Sequence, residues 1–339
     1  MITIDGSYGE GGGQILRTAV GLSALTKKPI KVENIRAKRS KPGLQPQHLT
    51  AVKSVAELCN AEVKGLEKRS KELEFYPKEA KGGSFKFDVG TAGSITLVLQ
   101  CCLLPSIFSN SETKLKIIGG TDVKFAPPID YFKNVFLKLL QKLGIEVELK
   151  LMRRGYYPRG GGEVEVLIKP VKEIKSLSLE DRGALKQIEG IAFISNLPDH
   201  ILKRIKHSAL KELINYPAKI EEALSLAYGQ GTGITLWARY DNTYLSSSCL
   251  GERGLPAEKV GSTAALELLK EIESGATIDI HVTDQILPYL ALAKRSSTFL
   301  TREVSLHAQT NMWLIKHFLD VEFDVKDERG LKRVVVKSL

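Results

Sequence analysis

Apolar residues recur along the chain with two spacings, which divide it into helices and strands. Helical spacing predicts helices over Ile15–Leu25, Leu49–Leu58, Ser94–Leu104 and Tyr131–Leu143. Alternating or β-branched residues between these segments predict strands, including Ile30–Ile35 and Glu163–Lys169. The pattern therefore predicts an α/β fold in which helices and strands follow one another along the chain.

One sequence pattern, located where a predicted helix ends and a strand begins, occurs three times. The three copies read Cys59-Asn-Ala-Glu62-Val63, Leu143-Gly-Ile-Glu146-Val147 and Leu319-Asp-Val-Glu322-Phe323. Helix starts also repeat, at Gly11–Gln14, Thr91–Ser94 and Thr283–Gln285. Three β/α repeats, each made of strands plus two helices, are therefore predicted.

The third repeat contains an insertion. Glu62 and Glu146 are 84 residues apart, whereas Glu146 and Glu322 are 176 apart, an excess of 92 residues. We place the excess before a strand predicted over Thr277–Val282. The insertion has its own predicted strands and helices, at Gly190–Ser195, Ile201–Leu213, Ile220–Ala227, Ile234–Leu245 and Ala257–Ile272. We therefore expect repeats one and two in residues 1–183, a small inserted α/β domain in 184–276, and repeat three in 277–339.

Composition excludes several classes of protein. The chain has 339 residues, of which 43% are hydrophobic and 26% charged, so most of it is expected to fold. Its most apolar stretch, Ile95–Phe108, is broken by Gln100 and Pro105 and is shorter than the roughly 20 residues that a membrane helix needs. The first residues are strand-like and do not resemble a signal peptide, so we expect a cytoplasmic protein. The four cysteines lack CxxC spacing, which favours buried thiols over a metal or disulfide role.

Positive charge is concentrated near the N-terminus. The net charge is +10, and the segment Lys27–Lys53 holds eight Lys/Arg residues against the single acidic residue Glu33. Such a segment is commonly a solvated face. Here, however, the cations alternate with amides, glycine and prolines between a strand and a helix that is predicted to begin near Pro46. An arginine-rich loop that ends at a helix N-terminus suits a polyanionic ligand.

A glycine loop, Gly9–Gln14, precedes the first helix. It is neither G-x-G-x-x-G, because Gln14 stands where a glycine is required, nor a P-loop, because the lysine is absent. A tight structural turn and an anion-binding loop with exposed N–H groups both remain open. Arg17 lies near the same end of the helix, where a cation is poorly placed for helix stability, and this points to a ligand.

His307 is the strongest candidate nucleophile among the six histidines. None of the six belongs to an H-E-x-x-H or Cys/His cluster, which argues against structural zinc. His307 lies at the start of the last predicted helix, whose positive end disfavours imidazolium, and a neutral imidazole can attack phosphorus. Asp284 could be a helix N-cap or a functional carboxylate that orients His307 or a metal ion. Paired-carboxylate chemistry between Glu10 and Asp284 also stays open.

Five runs of residues closely resemble the RNA 3′-terminal phosphate cyclase family. They are Asp5–Arg17, Ile35–Val52, Gly90–Ser94, Gly119–Asp122 and Arg159–Glu163. The resemblance covers nearly the whole chain. It implies a large domain of three β/α repeats, similar in build to the enolpyruvyl transferases. It also implies an inserted domain resembling the C-terminal domain of bacterial translation initiation factor three.

The resemblance further implies a reaction. The run His307-Ala-Gln-Thr-Asn311 resembles the family's motif around its catalytic histidine. By this resemblance, His307 would attack the α-phosphorus of ATP, release pyrophosphate and leave an AMP-histidine. The adenylyl group would pass to an RNA 3′-phosphate, and the neighbouring 2′-hydroxyl would displace AMP to close a 2′,3′-cyclic phosphate. The family also contains cyclase-like ribosome-assembly proteins that lack this histidine, so its presence favours the true cyclase branch.

The resemblance also implies roles for particular residues. Those expected to bind triphosphate or RNA-phosphate oxygens are Arg17, Arg36, Arg39 and Gln47. Glu10 and Asp284 would support the histidine or a divalent ion, Mg²⁺ or Mn²⁺, with Glu10 as the metal ligand. Those expected to contact ATP are Gln100, Pro128, His281, Val282, Thr283, Asp284 and Gln285. His281 departs from the family pattern, because an aromatic residue such as tyrosine is expected there.

Two other functions compete with an ATP-dependent cyclase acting on RNA 3′-phosphate ends. The basic charge and the inactive branch of the family allow a non-catalytic RNA-binding or ribosome-assembly factor. Enolpyruvyl transfer is supported only by the shared repeat architecture. The sequence leaves the oligomeric state open, with a homodimer as one candidate.

Overall fold

Helices and strands alternate along most of the computed structural model, which describes residues 1–339. The strands are β1 (Ile2–Asp5), β2 (Ile30–Glu33), β3 (Glu62–Lys64), β4 (Leu73–Tyr76), β5 (Gly83–Asp88), β6 (Thr113–Gly119), β7 (Val147–Arg153), β8 (Gly162–Ile168), β9 (Ser178–Leu179), β10 (Leu185–Ser195), β11 (Ala218–Leu224), β12 (Gly231–Tyr240), β13 (Tyr244–Leu250), β14 (Ser297–Thr301), β15 (Val321–Glu328) and β16 (Leu331–Ser338). The helices are α1 (Gly13–Thr26), α2 (Pro46–Leu58), α3 (Ile95–Ser106), α4 (Ile129–Tyr131), α5 (Leu137–Lys142), α6 (Asp199–Glu212), α7 (Ala257–Ser274), α8 (Ile280–Leu290) and α9 (Leu306–Ile315). A π-helical turn, Phe132–Phe136, joins α4 to α5.

Three of the four sheets share one topology. Their strand orders are β1-β2-β4-β3, β5-β6-β8-β7 and β9-β14-β16-β15. In each sheet the first pair is parallel and the other two pairs are antiparallel. The three predicted helix-to-strand exits lead into β3, β7 and β15, which occupy equivalent edges. The predicted mixed α/β fold with three repeats is confirmed.

The fourth sheet belongs to the inserted segment. Its order is β11-β10-β12-β13, with α6 and α7 packed against it. Nineteen buried apolar residues between Ile188 and Ile272 form its core, separate from a 65-residue core that comes from the three repeats except for Trp237 of β12. The insertion enters the chain between β9 and α8, the first strand and first helix of the third repeat. The boundaries 183/184 and 276/277 stay our proposal for the limits of this unit.

The strand predicted over Thr277–Val282 is wrong. Asp279 instead caps α8, because its Oδ1 accepts hydrogen bonds from the backbone N–H groups of His281 and Val282 at 3.0 and 2.8 Å. The helix therefore begins at Ile280, and Asp284 lies inside it and is not its N-cap. The predicted helix start at Thr283–Gln285 is wrong for the same reason.

Asp279 also ties α8 to the inserted unit. Its Oδ2 accepts hydrogen bonds from the backbone N–H and the hydroxyl of Ser246 in β13, at 2.9 and 2.7 Å. Asp279 is fully buried, so both of its oxygens are satisfied within the protein. One carboxylate thus fixes the start of α8 and a strand of the insertion.

The single strand predicted over Ile234–Leu245 is also wrong. The chain turns at Asp241–Thr243, and β12 and β13 form an antiparallel hairpin. Tyr240 donates its backbone N–H to the Thr243 carbonyl at 3.0 Å to close the turn. Apolar residues alternate on both sides of the turn, which hid the break, although Asp and Asn are typical turn residues.

A buried ion network joins the second repeat to the inserted unit. Arg154 donates to Asp122 at 3.0 Å and to Asp130 at 2.6 Å, and all three side chains are at most 7% exposed. Its guanidinium also lies 3.9 Å from the ring centroid of Phe193 and donates to Ser225 Oγ, both in the insertion. The two carboxylates raise the pKa of Arg154 despite its burial, so the cation is retained.

No helix in the structure combines the length and apolar character needed to cross a membrane. The prediction of buried thiols is confirmed for three of the four cysteines and is wrong for the fourth. Cys59, Cys101 and Cys102 are buried, and Cys249 is partly exposed.

Candidate active site

The glycine loop between β1 and α1 lies where side chains from several elements converge. A Cβ on Gly12 would stand 2.2 Å from the Glu10 carboxylate, and one on Gly13 would stand 2.1 Å from His48 Nε2 and 2.9 Å from an Arg17 nitrogen. A side chain at either position would displace Glu10 or His48, so the two glycines leave room for these groups. The loop is thus both a tight turn and the floor of a polar cluster.

His307 is bonded to this cluster through Gln14. It is the second residue of α9, whose N-cap Ser305 accepts from the Ala308 N–H at 3.1 Å. The Nδ1 of His307 lies 2.8 Å from Gln14 Oε1, and Gln14 Nε2 donates to Asp284 Oδ2 at 3.0 Å. Because the amide oxygen of Gln14 faces the ring, Nδ1 carries the proton and Nε2 keeps its lone pair. The three residues form a carboxylate–amide–imidazole relay.

The surroundings keep His307 neutral. Burial, then the charges of Arg39, Arg17 and His281, lower the pKa of His307 below 6.5, and about half of its side chain remains exposed. Burial raises the pKa of Asp284 to about 7, so this carboxyl titrates near neutral pH. The relay therefore joins a neutral imidazole to a carboxyl whose charge depends on pH in the physiological range.

Glu10 lies beside the histidine. Its Oε1 pairs with Arg39, and its backbone N–H donates to Thr310 Oγ1 at 3.2 Å. Its Oε2 is 3.9 Å from His307 Nδ1 and is buried without a hydrogen-bond partner. A buried oxygen left unpaired in this way is available to a ligand or an ion. No group of three or more His, Cys, Asp or Glu residues is placed to hold a metal ion alone.

The predicted cationic loop reaches this cluster. Burial lowers the pKa of Arg17 to about 10, and burial also lowers the pKa of Arg36. Arg36, at φ 57°, donates to the carbonyls of Lys41 and of Gly43, the latter at 2.9 Å, so it shapes its own loop as well. The helix predicted from Pro46 begins there.

Gln47 and His48 extend the cluster along the first turn of α2. Gln47 Oε1 accepts from the Ser94 N–H at 3.2 Å, at the start of α3. His48 is buried, and burial followed by Arg17 and Arg36 lowers its pKa to about 2, so it stays neutral. Its Nδ1 accepts from the Gln45 N–H at 3.3 Å, which leaves an Nε2–H donor beside Gly13.

The residues predicted to contact ATP are only partly brought together. Gln100 Nε2 donates to Gln285 Oε1 at 2.7 Å, and Gln285 Nε2 donates to the His281 carbonyl at 2.8 Å. The side chains of Val282 and Thr283 are fully buried, and Thr283 Oγ1 donates to the Asp279 carbonyl at 2.9 Å. These two side chains therefore face the protein interior, whereas Gln285 faces Gln100.

Pro128 caps the start of α4 close to the same helices. Thr96 of α3 donates from Oγ1 to the neighbouring Pro127 carbonyl at 2.7 Å. The hydroxyl of Tyr131, three residues after Pro128, is buried without a hydrogen-bond partner. Its pKa is raised by burial and by the charges of Asp279 and Asp284, which places it near α8.

A family model for RNA 3′-terminal phosphate cyclase matches residues 8–325 of the chain. The chain belongs to this family. A relative named RNA 3′-terminal phosphate cyclase from Nitrosospira multiformis is 48% identical over 344 residues, covering 99% of this chain and 97% of its own. One of the same name from Pyrococcus furiosus is 46% identical, with both chains fully covered. Both relatives carry the name of the enzyme, so the prediction that this chain is an enzyme of the cyclase family is confirmed.

Three residues of this cyclase-family site have no role in the sequence analysis. They are Gln14, His48 and Asn311. Asn311 donates to the Asp284 carbonyl at 2.7 Å, and its buried Oδ1 has no partner. It lies four residues after His307 on the same face of α9, a spacing that could have revealed it. Gln14 and Asp284 are 270 residues apart, and no local pattern in the sequence links them.

Proposed function

We propose that this cyclase-family protein converts RNA 3′-terminal phosphates to 2′,3′-cyclic phosphates at the expense of ATP, and that it does so in the cytoplasm. The observation that carries the proposal is the placement of His307, whose Nδ1 lies 2.8 Å from Gln14 Oε1 and whose neighbours include the half-buried Arg17 and the more exposed Arg39. A neutral nucleophile next to fixed cations suits attack on a polyphosphate.

In the first step, Nε2 of His307 attacks the α-phosphorus of ATP and forms a P–N bond. The bond from that phosphorus to the bridging oxygen breaks, and pyrophosphate leaves. The ring becomes positively charged, and the Nδ1–H bond to Gln14, backed by Asp284, stabilises this charge. Arg17 and Arg39 would bind the phosphate oxygens, with Arg36 and Gln47 nearby.

Glu10 fits the role of metal ligand. Its buried Oε2 has no protein partner, and the site offers no cluster of further ligands. Glu10 would therefore hold Mg²⁺ or Mn²⁺ together with substrate phosphates and waters, the coordination that Mg²⁺ usually has in proteins. When bound there, the ion would neutralise charge on the departing pyrophosphate.

In the second step, an oxygen of the RNA 3′-phosphate attacks the phosphorus on His307, and Nε2 leaves with its lone pair. In the third step, the 2′-hydroxyl attacks the 3′-phosphorus, and AMP leaves as the cyclic ester closes. Nε2 of His307 is free again and is available to accept the hydroxyl proton. The Nε2–H of neutral His48 and the guanidinium of Arg17 are suited to hold the RNA phosphate.

The adenosine would lie near the paired amides of Gln100 and Gln285. Pro128 and the imidazole of His281 would contact the two faces of the base. Because an imidazole replaces the expected tyrosine at His281, this contact presents a smaller ring surface to the adenine.

Labelling with ATP tests the proposal. The protein is treated with ATP labelled at the α-phosphorus and Mg²⁺, and mass spectrometry locates the AMP. The label should lie on the peptide containing His307 and be lost in His307→Ala. The control His207→Ala, an exposed histidine on α6, should keep it. A wild type that binds RNA but takes up no label would favour a non-catalytic RNA-binding protein.

A further inference from the structure

Two tyrosines are exposed on the segments that join the second repeat to the inserted unit. Tyr157, in the loop between β7 and β8, is 81% exposed, and Tyr228, shortly after β11, is 58% exposed. The two segments are held together by the backbone, because the Arg154 N–H donates to the Leu226 carbonyl at 3.0 Å. Exposed aromatic rings on two segments that contact each other form an apolar surface of the kind that commonly serves an interaction.

Arginines accompany these rings. The guanidinium of Arg153 lies 4.2 Å from the ring centroid of Tyr228, and Arg159 Nη1 donates to the Tyr228 carbonyl at 3.0 Å. Arg153 has Glu163 at 3.5 Å, but Arg159 is exposed and forms no ion pair. We call Arg153, Tyr157, Arg159 and Tyr228 the aromatic junction. It presents partly exposed tyrosine rings and positive charge together.

The glycines of the Arg159–Glu163 motif build this surface. A Cβ on Gly161 would stand 2.5 Å from the Tyr228 ring, so only glycine lets the ring lie against the loop. A Cβ on Gly160 would stand 2.6 Å from the Thr91 carbonyl oxygen, which shows how closely the loop contacts the segment before α3. Gly160 and Gly161 have positive φ, at 64° and 71° respectively.

The same segment leads to the candidate active site. Thr91 is followed by Gly93, where a Cβ would stand 2.9 Å from the Gln47 side chain, and by Ser94, which donates its N–H to Gln47. Contacts are therefore continuous from the aromatic junction, through residues 91–94, to the first turn of α2, which carries Gln47 and His48 of the candidate active site.

We propose that the aromatic junction binds the nucleotides of single-stranded RNA that precede the 3′-terminal phosphate, a role that rests on the proposed function. Exposed aromatic faces stack on bases of any sequence, and adjacent guanidiniums bind the backbone phosphates. Arg159, lacking a carboxylate partner, matches a polyanion better than the apolar surface of another protein. The candidate active site would thus bind the 3′-terminal phosphate, and the aromatic junction would bind the nucleotides that precede it.

Substrate length provides the test. Cyclisation is measured at saturating ATP with a 3′-phosphorylated dinucleotide and with an RNA of about twelve nucleotides. For the longer RNA, Tyr228→Leu should raise KM roughly tenfold, as expected when one base loses its stacking partner. Tyr228→Phe keeps the ring and should bind like the wild type. Arg159→Ala should raise KM and lower the slope of log KM against log salt by about 0.7.

Two controls separate this inference from its alternatives. Arg329→Ala removes an exposed arginine at the turn between β15 and β16 and should leave the KM for RNA unchanged. Self-adenylylation with ATP alone shows that each variant is folded. The inference is overturned if Tyr228→Leu raises KM equally for both RNAs, or if it leaves KM for the longer RNA unchanged. A change in oligomeric state by light scattering without a change in KM would also overturn it. If the wild type does not self-adenylylate, the proposed function fails, and anisotropy with a 3′-hydroxyl RNA still tests the junction.

Discussion

Replacing Gln14 by leucine removes the middle of the relay while keeping a side chain of similar size. Two hydrogen bonds are lost, of 2.8 Å to His307 and 3.0 Å to Asp284, and only the first orients the nucleophile directly. One such bond contributes about 0.5–1.5 kcal/mol, so the rate constant of self-adenylylation should fall roughly 2- to 13-fold. The KM for ATP should change little, because Gln14 would act on the ring and not on the phosphates.

The assay is the single-turnover formation of AMP-protein at saturating ATP. Gln309→Leu is the matched control. Gln309 is exposed on α9, the helix of His307, and it donates to the Val304 carbonyl and not to the imidazole. It should leave the rate constant unchanged. If Gln14→Leu also left it unchanged, or altered only the KM for ATP, the relay would have no part in the first step.

Gln14→Glu tests the same relay with the opposite sign. A carboxylate at the Nδ1 position should raise the pKa of His307 by about one to three. A raised pKa keeps the ring protonated to higher pH, so the nucleophile is lost over a wider acid range. The acid limb of the rate profile should therefore move to higher pH, which the profile of single-turnover rates will show. An unmoved limb would mean that residue 14 does not contact the ring.

Three further outcomes are expected. Asp284, with a pKa of about 7, ionises as the pH rises through neutrality, and its carboxylate then stabilises the charged His307 ring. The adenylylation rate should therefore rise between about pH 6 and pH 8, and Asp284→Asn should abolish this rise. Glu10→Gln should raise the concentration of Mg²⁺ or Mn²⁺ needed for half-maximal adenylylation, and an unchanged metal titration would remove Glu10 as a ligand. Arg154→Met leaves Asp122 and Asp130 unpaired in the interior and should lower the free energy of unfolding by about 3–5 kcal/mol in urea, far more than Arg204→Met at an exposed pair.

Local signals predicted the repeats and the loop that ends at Pro46, because caps, turns and apolar spacing act over a few residues. They misplaced the start of α8. Asp279 and Asp284 both suit an N-cap by residue type, and the apolar residues before His281 resembled a strand. Helical spacing applied from Asp279 would have placed Val282 and Thr283 on the buried face.

The convergence of the candidate active-site residues was not predictable from spacing. Gln14 and His307 are 293 residues apart, and their contact depends on how the first and third repeats pack. The resemblance supplied the names of most residues, but it did not show that Gln14 joins two of them. Hydrogen bonds between distant elements are set by tertiary packing, which no single-chain pattern records.

The shared carboxylate of Asp279 constrains how this architecture can change during evolution. Inserted segments are usually the most replaceable part of a protein, since they can be lost or exchanged at their connections. Here the loss of β13 would leave Oδ2 of Asp279 buried without a hydrogen-bond donor. Asp279 caps α8, the helix that carries Asp284 and Gln285. A lineage that discarded the insertion would have to rebuild that helix start, so the unit should be inherited together with the histidine chemistry.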